Sequence, residues 1–143
     1  MPIHTLNKNH ISEIVMLQQQ TPSRNWSPSE TEDMLSTNWV KGFGVFHDDV
    51  LIGIFFVKTI AQEAEILELA INQNYRKKGF AQRLWQHVKE HFPNTDFFLE
   101  VSEHNTPAIK FYQKMGFKQI HSRKNYYGPG DDALIYTIRP DRK

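Results

Sequence analysis

The chain has 143 residues, a formal net charge of +1 and no cysteine. That length fits a single domain, residues 1–143, with a sizeable core; the missing cysteines exclude disulfides, thiolate metal sites and a cysteine nucleophile, and the near-zero charge excludes a strong global pull on nucleic acid. The longest apolar run, Val50 to Val57, falls far short of the about twenty residues of a membrane helix, and Met1-Pro2-Ile3-His4-Thr5 lacks a signal-peptide pattern, so a cytoplasmic protein with no membrane partner, monomer or weak dimer, is expected.

In chain order, residues 3–6 alternate as a short strand. Ile11, Ile14, Val15 and Gln18 share one face of a helix over 10–20, with Asn9 as its expected cap. Ser27-Pro28-Ser29-Glu30 reads as a cap, a proline in the first turn and a capping-box glutamate, opening a helix to about residue 35. Residues 43–47 and 50–57 are β-rich runs around Asp48-Asp49, a hairpin, and 64–71 is a third strand. From residue 79 the period changes. Phe80, Leu84, Val88 and Phe92 recur every four residues, an amphipathic helix over 79–92. A strand at 96–101, a helix at 106–114 capped by Thr106, and strands at 117–123 and 132–138 around Gly128-Pro129-Gly130 complete the chain. The pattern is a mixed α/β fold with one central sheet of about seven strands flanked by about four helices.

The strongest chemical signal lies between the 64–71 strand and the 79–92 helix, in Asn72 to Ala81. The first backbone N–H groups of a helix lack partners, and an anion there meets the positive end of the helix dipole. Gly79 lets backbone approach a phosphate, Ala81 keeps the next turn slim, and Arg76, Lys77 and Lys78 add positive charge. The plain alternative is a strand–helix connection with solvated basic residues.

Arg76-x-x-Gly79-x-Ala81, preceded by Leu69-Ala70-Ile71, resembles the acetyl-CoA motif of the GNAT superfamily of N-acetyltransferases. Downstream, Asn105-x-x-Ala108-x-x-x-Tyr112-x-x-x-Gly116-Phe117 matches the same superfamily. A narrower resemblance, to the bacterial ribosomal-protein-alanine N-acetyltransferases (RimI type), rests on Leu99-Glu100-Val101, Trp26-Ser27, Arg123 to Tyr127 and Asp132-Ala133-Leu134-Ile135.

The resemblance implies a GNAT fold, acetyl-CoA as cosubstrate, and an amine acceptor, in the narrower family the N-terminal alanine of a ribosomal protein. It implies Glu100 as general base. Glu68, on the strand before the phosphate loop, is its rival, and it departs from the polar neutral residue usual there in that family. From sequence alone, Glu100 could equally be a structurally paired strand carboxylate, and Glu68 could point outward into solvent. Tyr112 is implied as general acid, against a plain core tyrosine. Leu69, Ala70 and Ile71 would pair through their backbone with the pantetheine arm, and Ile71 N–H would polarise the thioester carbonyl. Arg76, Lys77, Lys78, Gly79, Phe80, Ala81 and Gln82 would hold the diphosphate, and Asn105 the arm. Beside the resemblance, Tyr126 and Tyr127, in a loop between strands, are candidates to frame the acceptor, or else a β-edge aromatic pair covering the core; Trp26 is a candidate for the opposite wall, or else a packed loop tryptophan. Alternatives are another peptide, lysine or small amine as acceptor, or a non-catalytic acetyl-CoA-binding regulatory module. No metal is needed. His87 and His91 are four apart on one helix but lack a third ligand nearby and read as a solvated face.

Overall fold

The computed structural model describes residues 2–21 and 25–140. The elements are β1 (Ile3–Thr5), α1 (Ile11–Gln18), α2 (Pro28–Ser36), β2 (Val40–His47), β3 (Val50–Ile60), β4 (Glu63–Ile71), α3 (Phe80–His91), β5 (Asp96–Ser102), α4 (Thr106–Lys114), β6 (Lys118–Gly128) and β7 (Asp131–Ile138). They build one seven-stranded sheet in the order β1-β2-β3-β4-β5-β7-β6. Every neighbouring pair is antiparallel except β4–β5, which is parallel. The α/β fold with about seven strands and four helices is therefore as the sequence predicts.

Helices cover both faces. One core holds Phe43, Phe55, Val57, Leu84, Trp85, Val88, Phe97, Phe117 and Tyr112, under α3 and α4. The other holds Leu6, Ile14, Leu17, Trp26, Ile54, Phe56 and Ala70, under α1. β3 is buried from Leu51 to Val57 because helices cap it on both sides, which explains its unbroken apolar run. The β2–β3 turn puts both Asp48 (φ 48°) and Asp49 (φ 65°) in the left-handed region, as a two-residue hairpin requires.

Three local expectations change. Asn9 does not cap α1: a 3-10 turn over Lys8–His10 precedes the helix, capped by Asn7, whose side chain accepts from Asn9 N–H while His10 completes the box, and α1 itself starts after His10 with no side-chain cap. Asn105, not Thr106, caps α4, accepting from Ala108 N–H at 3.4 Å. β6 runs five residues beyond the predicted end, to Gly128, so Tyr126 and Tyr127 lie on a strand rather than in a loop.

Gly42 lies close against a core ring. A Cβ there would sit 2.7 Å from Cε2 and Cζ of Phe56, a fully buried side chain that also meets Trp26 edge-on at 5.0 Å. Gly42→Val is expected to cost about 1–3 kcal/mol by overpacking. In urea the midpoint should fall with the slope unchanged; an unmoved midpoint would refute this tight contact.

Candidate active site

The parallel pair β4–β5 is joined only over Glu63↔Asp96 to Glu65↔Phe98. Beyond it the strands part, and a cavity of about 880 Å³ opens between Ile66–Ile71 on one side and Leu99–Val101 on the other. The N-terminus of α3 and the α4 residues Ala108, Phe111 and Tyr112 also line it. Ligands of open α/β sheets gather where connections diverge in this way.

A bulge aims the β4 side chains. Val57 pairs with Ile66 but Phe56 with Glu68, so Leu67 is an extra residue. Without it, Glu68 would share the face of Ala64 and Ile66, toward α3. With it, Glu68 turns to the α1 side. There it is 6% exposed, and the fully buried Gln18 donates to its Oε2 at 3.0 Å. Past the bulge, Asn72 N–H bonds the Ile52 carbonyl on β3. Strand alternation then turns the backbone groups of Leu69 and Ile71 into the cleft. Two of these are engaged within the chain: Leu69 N–H donates to Glu68 Oε1 (3.0 Å), and the Ile71 carbonyl accepts from Arg76 Nε (3.1 Å).

At the head of α3, Gly79 is the N-cap with φ 86°, no side chain caps the helix, and a Cβ at Gly79 would meet nothing within 4 Å. The first turn thus offers backbone donors beside open space, with Lys77 and Lys114 also on the cavity wall. These features fit a diphosphate. Arg76 lines the cavity, but its guanidinium is tied to two backbone carbonyls, Ile71 and Gln20. It clamps the loop and adds charge. Lys78 is not on the cavity wall; its ammonium lies 5.8 Å over the Tyr75 ring.

Glu68, Glu100 and Tyr112 line the one cavity together with Leu69, Ala70, Ile71, Arg76, Lys77, Gly79, Phe80, Ala81, Gln82 and Asn105. Glu68 is buried, not solvated. Glu100 points away from the α3–α4 core. β5 alternates, and Phe97, Leu99 and Val101 face the core while Glu100 keeps 24% of its side chain exposed. Its carboxylate meets Arg123 Nη1 at 3.6 Å. Tyr112 is 6% exposed, between the rings of Phe111 and Phe117. Burial first, and the Glu68 charge second, push its phenol above the ordinary tyrosine range.

The acceptor-side residues lie off the cavity wall. Trp26 is 5% exposed, its backbone N–H donating to Gln18 Oε1, and it fills the α1 core against Phe56 rather than presenting a wall. Tyr126 and Tyr127 are exposed and meet edge to face at 5.3 Å on the β6–β7 ribbon. That ribbon is firmly held. Between Arg123↔Ala133 and Gly128↔Asp131 β6 advances five residues against two on β7. Asn125, at φ 55°, takes up the excess, donating its N–H to Asp132 and accepting from Gly130 N–H. His104 bonds the Gly130 carbonyl at 2.7 Å, which raises its pKa, with Glu103, Asp131 and Asp132 adding to the effect.

Sequence reasoning gave no role to Gln18 or Arg123. A glutamine on the apolar face of α1 was a usable signal for the first. Arg123 entered only within a segment of resemblance, and no local signal points to its partner, 23 residues away and two strands over. Among the described residues no group of three or more His, Asp or Glu could hold a metal, and no helix is long and apolar enough to cross a membrane. His87, half-buried, and His91, exposed as the sequence suggests, both meet Phe43 edge-on, at 5.4 and 5.1 Å.

Comparison with known proteins bears on this geometry. The profile of the Acetyltransferase (GNAT) family matches residues 11–117. An N-alpha-acetyltransferase of Sulfurisphaera tokodaii is 32% identical over 81 residues, 54% of this chain and 48% of that protein. A [ribosomal protein bS18]-alanine N-acetyltransferase of Haemophilus ducreyi is 31% identical over 97 residues, 63% of this chain and 67% of that protein. The chain spans about half the length of the first of these curated relatives. The crystal structure of the ribosomal-protein-S18-alanine N-acetyltransferase from Escherichia coli superposes with a TM-score of 0.89 at 19% identity, covering 99% of this chain and 95% of that one. The profile match takes in the parted strands, the uncapped helix and Tyr112, and the chain belongs to the acetyltransferase (GNAT) family, whose cosubstrate is acetyl-CoA.

Proposed function

We propose that this protein transfers the acetyl group of acetyl-CoA to a primary amine, foremost the N-terminal alanine α-amine of a ribosomal protein, in the cytoplasm. The observation that carries the reading is the cleft between β4 and β5, where Glu100, Tyr112 and the uncapped α3 head line one cavity. The alanine acceptor is supported by the resemblance to the Haemophilus ducreyi protein. Bound in the cleft, acetyl-CoA supplies a thioester acyl carbon. The α3 head and Lys77 hold its diphosphate, and the Leu69 and Ile71 backbone aligns its amide-bearing arm. Ile71 N–H offers the thioester carbonyl a hydrogen bond. Glu100 takes the proton the amine sheds as its nitrogen bonds to the acyl carbon, and the Tyr112 hydroxyl gives its proton to the sulfur as the carbon–sulfur bond breaks.

An α-amine suits this machinery. At pH 7, deprotonation costs roughly 1 kcal/mol for an α-amine and roughly 4.6 kcal/mol for lysine, from pKa values of about 7.7 and about 10.4. The test is CoA release from acetyl-CoA with a hexapeptide beginning Ala-Arg-Tyr, beside an N-blocked peptide carrying one lysine. Release with the free N-terminus alone is expected. Release with neither, while CoA still binds, would sink the acceptor assignment in favour of another amine or a silent binding module.

A further inference from the structure

We propose that Arg123 is a specificity-determining residue that biases the site toward amines arriving uncharged. The inference rests on the proposed acetyl transfer and on Glu100 as base.

The sheet register places Arg123 for this task. Arg123 pairs with Ala133, Ala133 with Ser102, and Ile135 with Glu100. Cross-strand partners share a face, as do alternate residues along a strand, so Arg123 and Glu100 stand on the same side of the sheet, with β7 between their strands. The reach is diagonal: Ala133, opposite Arg123 on β7, carries only a methyl group, and the long arginine side chain passes it to Glu100, whose own partner is Ile135, Nη1 to Oε1 at 3.6 Å. On its other side the guanidinium lies 5.3 Å over the ring of Tyr126, which itself abuts Tyr127. One cation thus touches both the base and the aromatic pair expected to frame the acceptor. The ribbon carrying it is pinned by Asn125, Asp132, Gly130 and His104.

An amine within bonding reach of Glu100 therefore comes close to a fixed positive charge. A protonated amine is repelled; a neutral one is not. At pH 7 about a tenth of an α-amine population is neutral, against about one in 2,500 for a lysine ε-amine, from their reference pKa values. The α-amine keeps a well-populated route that avoids the repulsion, whereas lysine arrives almost entirely as a cation. The guanidinium thereby penalises lysine and polyamine acceptors. Arg123 is 48% and Glu100 24% exposed, so the field is partly screened, and the discrimination expected is about five- to tenfold.

The experiment measures kcat/KM for a lysine-free peptide with a free α-amine and for its N-blocked counterpart with one lysine. Wild type, Arg123→Gln and Arg123→Lys are compared in salt of about 0.1 M and about 1 M, where the screening length falls from about 10 to about 3 Å. Arg123→Gln should narrow the α-over-ε preference about five- to tenfold at low salt, Arg123→Lys should keep it, and high salt should narrow it in wild type but not in Arg123→Gln. An unchanged ratio and salt response in Arg123→Gln would overturn the proposal while leaving acetyl transfer standing. So would equal loss in Arg123→Lys, which would mark a packing role without charge. Wild type inactive on both peptides would overturn the transfer reading and this proposal together.

Discussion

Glu100→Gln should lower kcat by about 10²–10⁴-fold, the range for loss of a general base, while CoA affinity stays within about twofold. Glutamine keeps the shape but cannot take the amine proton. The residue lies on β5, across the cleft from the α3 head that would hold the diphosphate, so cosubstrate binding has no reason to change. Stability should also hold. The bond to Arg123 is 3.6 Å long and partly exposed, and such pairs contribute about 0–1 kcal/mol.

The companion variant, Glu68→Gln, should behave differently. Both Glu68 oxygens accept hydrogen bonds, from Gln18 Nε2 and from Leu69 N–H. A glutamine offers one acceptor and one NH₂, so one buried donor loses its partner, at about 1–3 kcal/mol. Glu68→Gln is expected to unfold at lower urea with a smaller fall in kcat. The reverse pattern, in which Glu68→Gln stays folded and loses turnover while Glu100→Gln keeps it, would transfer the base to Glu68. Steady-state rates with CoA titration and urea melts separate the two cases.

The order of elements was legible because each carries its own local signal. α3 announces itself by Phe80, Leu84 and Val88, α2 by Ser27 and Glu30, whose capping box forms as read. The parting of β4 from β5 and the loop into α3 follow the resemblance in residues 69–81. What sequence could not give is registry. The Leu67 bulge decides which way Glu68 points, and no residue type near it demands a bulge. The β6 excess at Asn125 sets where Arg123 and Tyr126 sit, and that depends on pairing with β7, not on β6 alone. Trp26 shows the opposite limit. Its proline-bounded segment reads as loop, yet the indole is core, because the ring it packs on, Phe56, lies thirty residues on.

Tyr112→Phe removes one oxygen and should again lower kcat by about 10²–10⁴-fold. The ring contacts with Phe111 and Phe117, both at 5.2 Å, survive the change, so folding and CoA binding should persist. The argument turns on where the phenol proton sits. Burial and the Glu68 charge both disfavour the phenolate, so the hydroxyl stays protonated at every pH where the amine can react. It is a standing proton donor and a poor base. A phenol raised in the folded state contributes stability that is fully present below the unfolded value of about 10 and is lost as pH rises through the folded one. Alkaline absorbance titration of wild type minus Tyr112→Phe should therefore show one tyrosine ionising above the ordinary range, together with loss of structure. If Tyr112→Phe keeps full turnover, another group protonates the sulfur and Tyr112 is a core residue. If the difference titration falls in the ordinary phenol range, the phenol is not held protonated by its surroundings, and the donor role loses its electrostatic support.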